Sequence, residues 1–185
     1  MAVGQKRMTY SEFEQFIAAP ENRDRRFELI NGEVVEVSPT EEHGAIAARI
    51  TIRIGVFVEQ HNLGRVTIEP RHKMPEDDQN AYLPDVAFTN RETALPTVKR
   101  GAVPRMPDLA VEVKSPDDSY RGMRDKAAYY IANGARMVWL VYPDKQIVEI
   151  YQPGVDLEIL TENDSIDGGD VLPGFTLPVR EVFDV

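Results

Sequence analysis

Three side chains in two short stretches have the types that hydrolytic chemistry uses and that the interior of a strand avoids. Asp85 lies in Leu83-Pro84-Asp85-Val86. Glu112 and Lys114 lie in Pro107-Asp108-Leu109-Ala110-Val111-Glu112-Val113-Lys114-Ser115-Pro116. Polar and apolar residues alternate from 108 to 114. A strand of period two therefore sends Asp108, Ala110, Glu112 and Lys114 to one face and Leu109, Val111 and Val113 to the other. A carboxylate taken out of water costs several kcal/mol unless it is paired or binds a metal. A second short strand at 85–88 would bring the Asp85 carboxylate beside that of Glu112, where two such charges about 4 Å apart repel by roughly 4 kcal/mol at a surface-like dielectric. Something cationic has to lie between them: a divalent ion with hard oxygen ligands, the Lys114 ammonium, or both.

The elements that would position these groups are legible in order. Thr9-Tyr10-Ser11-Glu12 has the form of a capping box, and Phe13, Phe16 and Ile17 follow at helical spacing until Pro20 stops the run. Segments 27–30 and 33–37 flank Asn31-Gly32, a hairpin signal because both turn residues tolerate positive φ. A two-residue loop sets Glu28 opposite Val35, on the face of Ile30. If that face is inward, Glu28 is a third carboxylate in need of a partner; if outward, it is solvated. Thr40 caps a long helix with Glu41 and Glu42 in its first turn and Ile46, Ile50, Ile54, Phe57 and Val58 as its apolar stripe, ending near Asn62-Leu63-Gly64. His43, at its start, either approaches a site or lies on the surface, and the surface reading is the favoured one. With no cysteine and only His43, His61 and His72, there is no sequence case for a zinc site.

Further on, 65–69 reads as a strand, 71–81 as a polar loop and 83–88 as the strand carrying Asp85. The segment 91–105 reads as an exposed connection. After the Glu112 strand, Ser115-Pro116-Asp117-Asp118-Ser119 makes a turn and a cap. A helix over 120–133 then carries Met123, Ala127, Tyr130 and Ile131 on one side. The continuous apolar run Met137-Val138-Trp139-Leu140-Val141-Tyr142 is an interior strand. Strand, helix and buried strand in this order predict a right-handed crossover with a parallel pair at the sheet centre. A hairpin partner follows at 146–151. The reading is one α/β domain over 1–185, with an N-terminal helix and hairpin (9–37), a core (40–151) and an acidic, turn-rich tail (152–185).

Composition narrows the setting. The 185 residues carry a formal net charge of −10 and no cysteine, so disulfides and thiolate metal sites are excluded. The first eight residues hold no apolar segment of signal-peptide length, and no later stretch approaches a membrane span, which predicts a cytoplasmic protein. The acidic balance disfavours holding nucleic acid by broad phosphate neutralisation. Three small basic clusters, Arg23/Arg25/Arg26, Arg65/Arg71/Lys73 and Lys99/Arg100/Arg105, read singly as solvated surface.

Pro84-Asp85 followed by Glu112-Val113-Lys114 resembles the PD-(D/E)xK signature of the restriction-endonuclease-like nucleases. The surroundings sharpen it: Phe27-Glu28-Leu29-Ile30-Asn31-Gly32, Ser38-Pro39-Thr40 with His43-Gly44, Pro107-Asp108-Leu109, Lys126 with Tyr129-Tyr130, and Trp139-Leu140-Val141-Tyr142-Pro143. The ordered set is similar, over nearly the whole chain, to the Uma-type family of bacterial restriction endonucleases. The resemblance implies a restriction-endonuclease-like α/β/α core around a mixed central β-sheet, and a site of one or two metal ions. It makes Asp85 and Glu112 the metal-binding carboxylates, with the Val113 carbonyl also facing the metal. Lys114 becomes the lysine beside the attacking water, and Glu28 the acidic residue supplied by the first hairpin. Lys126 is a substitute for that lysine or a solvated helix residue; Asp108 supports the site from behind or simply starts the strand. All-oxygen ligands point to Mg²⁺, with Mn²⁺ as a substitute.

Two functions are consistent with these residues. One is a metal-dependent endonuclease hydrolysing DNA phosphodiesters; the other is a catalytically silent nuclease-fold domain acting as an oligomeric binding or regulatory module. The charged site residues favour the first and the acidic balance the second. A homodimer is expected, because cutting both strands of a duplex calls for two sites, and the tail segments 155–160, 171–172 and 175–179 are apolar edges free to pair across an interface.

Overall fold

The computed structural model describes residues 7–185, so most of the basic N-terminal stretch lies outside the described residues. Helix α1 (Tyr10–Ala18) begins with the capping box: the Thr9 hydroxyl accepts the Glu12 amide, and the Glu12 carboxylate accepts the Thr9 amide at 2.9 Å. Strands β1 (Arg26–Ile30) and β2 (Glu33–Val37) turn through Asn31 and Gly32, whose φ values of 51° and 77° are both left-handed, as the register requires. Glu28 stands opposite Val35. Phe27 and Leu29 pack with Phe13 and Ala81 in a small core of their own.

Helix α2 (Glu41–Gln60) leads to β3 (Gly64–Ile68), then β4 (Val86–Asn90) and β5 (Leu109–Val113). Helix α3 (Tyr120–Ala132) connects β5 to β6 (Met137–Tyr142), and β7 (Ile147–Tyr151) and β8 (Glu158–Leu160) follow. These six strands form one mixed sheet in the order β3-β4-β5-β6-β7-β8, in which β5 and β6 are the parallel pair and the other neighbours are antiparallel. The expected α/β/α layering around a mixed central sheet is therefore the observed architecture.

Side-chain alternation along β5 divides two cores. Leu109, Val111 and Val113 face the α2 stripe Ile46, Ile50, Ile54 and Val58, whereas Ala110 faces Met123, Ala127 and Tyr130 of α3. Two local expectations shift. The strand expected over 83–88 starts only at Val86, because Pro84 has no N–H for a ladder; the Leu83 amide instead donates to Glu28. The tail also departs from the expected free edges. Strands β9 (Ser165–Asp167) and β10 (Thr176–Pro178) and helix α4 (Val179–Phe183) fold back onto the α2 side, where Ile166, Leu172, Phe175, Leu177 and Val182 join the main core. Of the segments invoked for an interface, only 155–159 stays open, with Val155 and Leu157 exposed just ahead of the edge strand β8 and Ile159 exposed within it. Among the described residues no helix is long and apolar enough to cross a membrane.

Candidate active site

The register of the sheet brings the carboxylates together. Val86 pairs antiparallel with Val111, so Asp85, one residue ahead of β4, reaches the C-terminal end of β5, and its Oδ2 accepts the Val113 amide at 2.7 Å. Glu112 points from the same end of β5 toward α3. Glu28 comes in from β1 on the side open to solvation or burial in the sequence; burial wins, at 1% exposure, with its Oε1 accepting the Leu83 amide at 2.9 Å. Asp85, Glu112, Glu28 and Val113 all line one cleft of about 400 Å³, a volume suited to a small ligand or a piece of a polymer.

The cation between the carboxylates is Lys126. Its ammonium lies 2.7 Å from Glu28 Oε2 and 3.3 Å from Glu112 Oε2, and the Tyr130 hydroxyl, one helical turn on, donates to Glu112 Oε1 at 2.7 Å. Lys114 is placed elsewhere. Strand β5 ends at Val113, and two residues of extended chain carry Lys114 about 7 Å beyond Glu112, where its ammonium donates to the Ser115 carbonyl and lies 5.2 Å from the centre of the Tyr120 ring. Among the described residues Lys126 is the only lysine or arginine lining the cleft. The sequence held a signal for this, since 126 falls at the edge of the stripe Met123, Ala127, Tyr130, where a lysine can be turned inward with the stripe.

His43 is likewise not a surface residue. It continues the α2 stripe backward from Ile46 by three positions, is 6% exposed, and sets Nε2 3.2 Å from Asp85 Oδ2. That spacing was the legible signal. Its Nδ1 is buried with no hydrogen-bond partner among the described residues. Asp108, in contrast, does not touch the carboxylates. Its Oδ2 accepts the Asn90 amide and pairs with Arg105 at 3.2 Å, which ties down the 91–105 connection at the far end of β5.

The electrostatics follow from three buried acids sharing one ammonium. Burial pushes the Glu112 carboxyl up to about 8; Lys126 opposes this, and the charges of Glu28 and Asp85 add to it. Burial alone would lower Lys126, but Glu112 and Glu28 outweigh it and hold the ammonium well above the ordinary lysine range. Burial would lower His43 too, and the bond to Asp85 together with that carboxylate's charge reverses the direction. The rim adds Asp117, Asp118 and Asp125. The cleft thus carries more negative charge than its own groups neutralise.

A divalent cation is the group such a cleft suits. Its donors are hard oxygens, and Asp85 Oδ1 has no hydrogen-bond partner among the described residues, since both contacts fall on Oδ2. Among the described residues no group of three or more His, Cys, Asp or Glu side chains is placed to hold a metal ion. Mg²⁺ does not need such a group, because it is commonly held by one or two carboxylates and keeps several waters.

The Uma2 family, described as "Putative restriction endonuclease", matches residues 11–180. The chain belongs to this family. The match runs from α1 to α4 and so takes in every residue of the cleft. No curated protein matches the chain. Among solved structures, it is similar to a crystal structure from Anabaena variabilis described as a "putative nuclease belonging to DUF820", with a TM-score of 0.80 and 22% identity. The similarity covers 95% of this chain and 97% of the other. At that identity the likeness is one of fold, and it extends to the whole α/β/α architecture of the Uma2 chain.

Proposed function

We propose that this Uma2-family chain is a divalent-metal-dependent endonuclease that hydrolyses DNA phosphodiester bonds in the cleft between β1, β5 and α3. The observation that carries the reading is the convergence of Glu28, Asp85 and Glu112, all buried, on a cleft with a single ammonium. Asp85, Glu112 and the Val113 carbonyl would hold the ion, with Glu28 as the third carboxylate; Mg²⁺ suits these oxygens, with Mn²⁺ as a substitute. When bound, the ion would lower the pKa of a coordinated water and neutralise the scissile phosphate. Lys126 takes the part first expected of Lys114: it lies against the carboxylates and is held charged, so it can stabilise the charge that grows on the phosphate. Tyr130 orients Glu112 through Oε1. Asp85, fixed through Oδ2, presents Oδ1.

The test is incubation of plasmid DNA with the protein and Mn²⁺ or Mg²⁺, beside Asp85→Asn and Glu112→Gln. Cleavage by the wild type that both variants lose supports the assignment; equal cleavage by all three rules the cleft out as its source. A second reading, a catalytically silent binding module, is favoured by the acidic rim and by the use of several basic residues inside the fold. Arg65, for example, donates to the Leu95 carbonyl, and Arg71 to that of Phe27. Mn²⁺ binding without cleavage of any DNA form would select it.

A further inference from the structure

We infer that His43 is a positioning residue that sets the orientation of Asp85 as a metal ligand, an inference that rests on the proposed reading of the cleft. Asp85 needs such a device. It precedes β4 and follows Pro84; the Glu69 amide donates to its carbonyl at 3.3 Å and holds the main chain beside β3, but the orientation of the side chain is fixed by what the carboxylate touches. Two donors reach it, the Val113 amide at 2.7 Å and His43 Nε2 at 3.2 Å, and both fall on Oδ2. Two donors on one oxygen, from a strand end and from a helix, fix the plane of the carboxylate and leave Oδ1 as one directed ligand.

His43 is itself anchored at two points. Its amide donates to the Thr40 hydroxyl that caps α2, at 3.2 Å, and its ring is buried beside the cleft. Helix α2 packs along the β5 face opposite α3. Asp85 is thereby held from one side of the sheet while Lys126 holds Glu112 and Glu28 from the other. Direct ligation through Nε2 is not open to His43 while that nitrogen is engaged by Asp85. Partners of this kind, hydrogen-bonded to a ligating group and not to the ion, commonly change metal affinity tenfold to a hundredfold when lost.

The experiment is calorimetric titration of Mn²⁺ into wild type, His43→Phe and His43→Gln, with circular dichroism melts to confirm that each folds. Phenylalanine fills the ring's volume without a donor, whereas glutamine keeps an N–H at the reach of Nε2. The expected result is a tenfold or greater loss of affinity in His43→Phe and an affinity within about threefold of wild type in His43→Gln, set against the usual tenfold to hundredfold range. Unchanged affinity in His43→Phe, or the same loss in both variants, overturns the positioning role while leaving the metal site standing. No Mn²⁺ binding by the wild type overturns the reading of the cleft and the inference together.

Discussion

Lys114 and Lys126 face the same layer of the protein, yet only one of them reaches the acids, and the difference is testable by deletion. The Lys126 ammonium compensates two buried carboxylates, and removing one partner of a buried ion pair typically costs about 3 kcal/mol or more. Lys126→Met should lower metal-free stability by roughly that amount and abolish cleavage. Lys114→Ala, which removes only a contact at the start of α3, should change stability by about 0.5 kcal/mol or less and leave cleavage in place. Urea unfolding and plasmid cleavage of the two variants check both halves; loss of cleavage in Lys114→Ala alone would return the lysine role to the strand. His72 offers a pH test away from the site. It is buried, its Nδ1 bonds the Arg105 carbonyl at 2.6 Å, and burial lowers its pKa from 6.5 to about 4. The folded chain therefore keeps His72 neutral while the unfolded chain takes up a proton below about 6.5. The stability that this supplies is complete above that pH and is lost as pH falls toward 4, up to about 3 kcal/mol. Urea midpoints at pH 7 and 4.5 should fall further for wild type than for His72→Gln.

At the scale of elements, α3 decides whether the site exists, since it carries Lys126 and Tyr130. It is fastened to the sheet by more than its apolar stripe. Arg124 bonds Glu149 of β7, a carboxylate 1% exposed that also accepts the hydroxyls of Tyr142 at 3.0 Å and Tyr151 at 2.9 Å. Truncating the arginine leaves a buried charge with two neutral donors, a change that typically costs about 2 kcal/mol. Arg124→Met should show that loss in thermal or urea unfolding, and amide exchange should speed up in α3 more than in α2. An equal change in both helices would mean that the pair stabilises the fold as a whole and does not pin α3 in particular. On the other face the tail does comparable work for α2: Phe175 stacks on Trp139 of β6 with ring centres 6.1 Å apart and meets Phe57 of α2 edge-on at 5.3 Å.

For the whole molecule, the net charge of −10 opposes broad phosphate neutralisation, so on the proposed reading a divalent ion in the cleft would supply much of the hold on DNA. Binding should accordingly be weak without a divalent ion. The homodimer we propose has a narrower basis than the sequence suggested, because most of the apolar tail is consumed in the chain's own core. What remains is the stretch that leads into and enters β8, with Val155, Leu157 and Ile159 exposed at alternate positions along the outer edge of the sheet. Light scattering after size exclusion should give twice the chain mass, and Ile159→Lys should return it to one. A single-chain mass for the wild type, unchanged by DNA and metal, would make the protein a monomer able to nick one strand at a time.

Local chemistry in the sequence determined the elements. The Thr9 and Thr40 caps, the Asn31-Gly32 turn, the apolar run at 137–142 and the alternation through Glu112 each specify backbone state over a few residues, and their order implies the mixed sheet with β5 and β6 parallel. The motif pointed to Asp85 and Glu112, and antiparallel register carries the two residues to one cleft. Only the tertiary structure decided which lysine lies between the acids, that Glu28 turns inward, that His43 reaches Asp85 and that the tail covers α2. These depend on which face of an element meets which neighbour. Period and propensity leave that open for a polar residue, because its burial is stable only when partners from distant elements arrive to satisfy it. Lys126 and His43 stand at the edges of apolar stripes for this reason: their helices bury them, and Glu28, Glu112 and Asp85, from three other parts of the chain, are what make that burial stable.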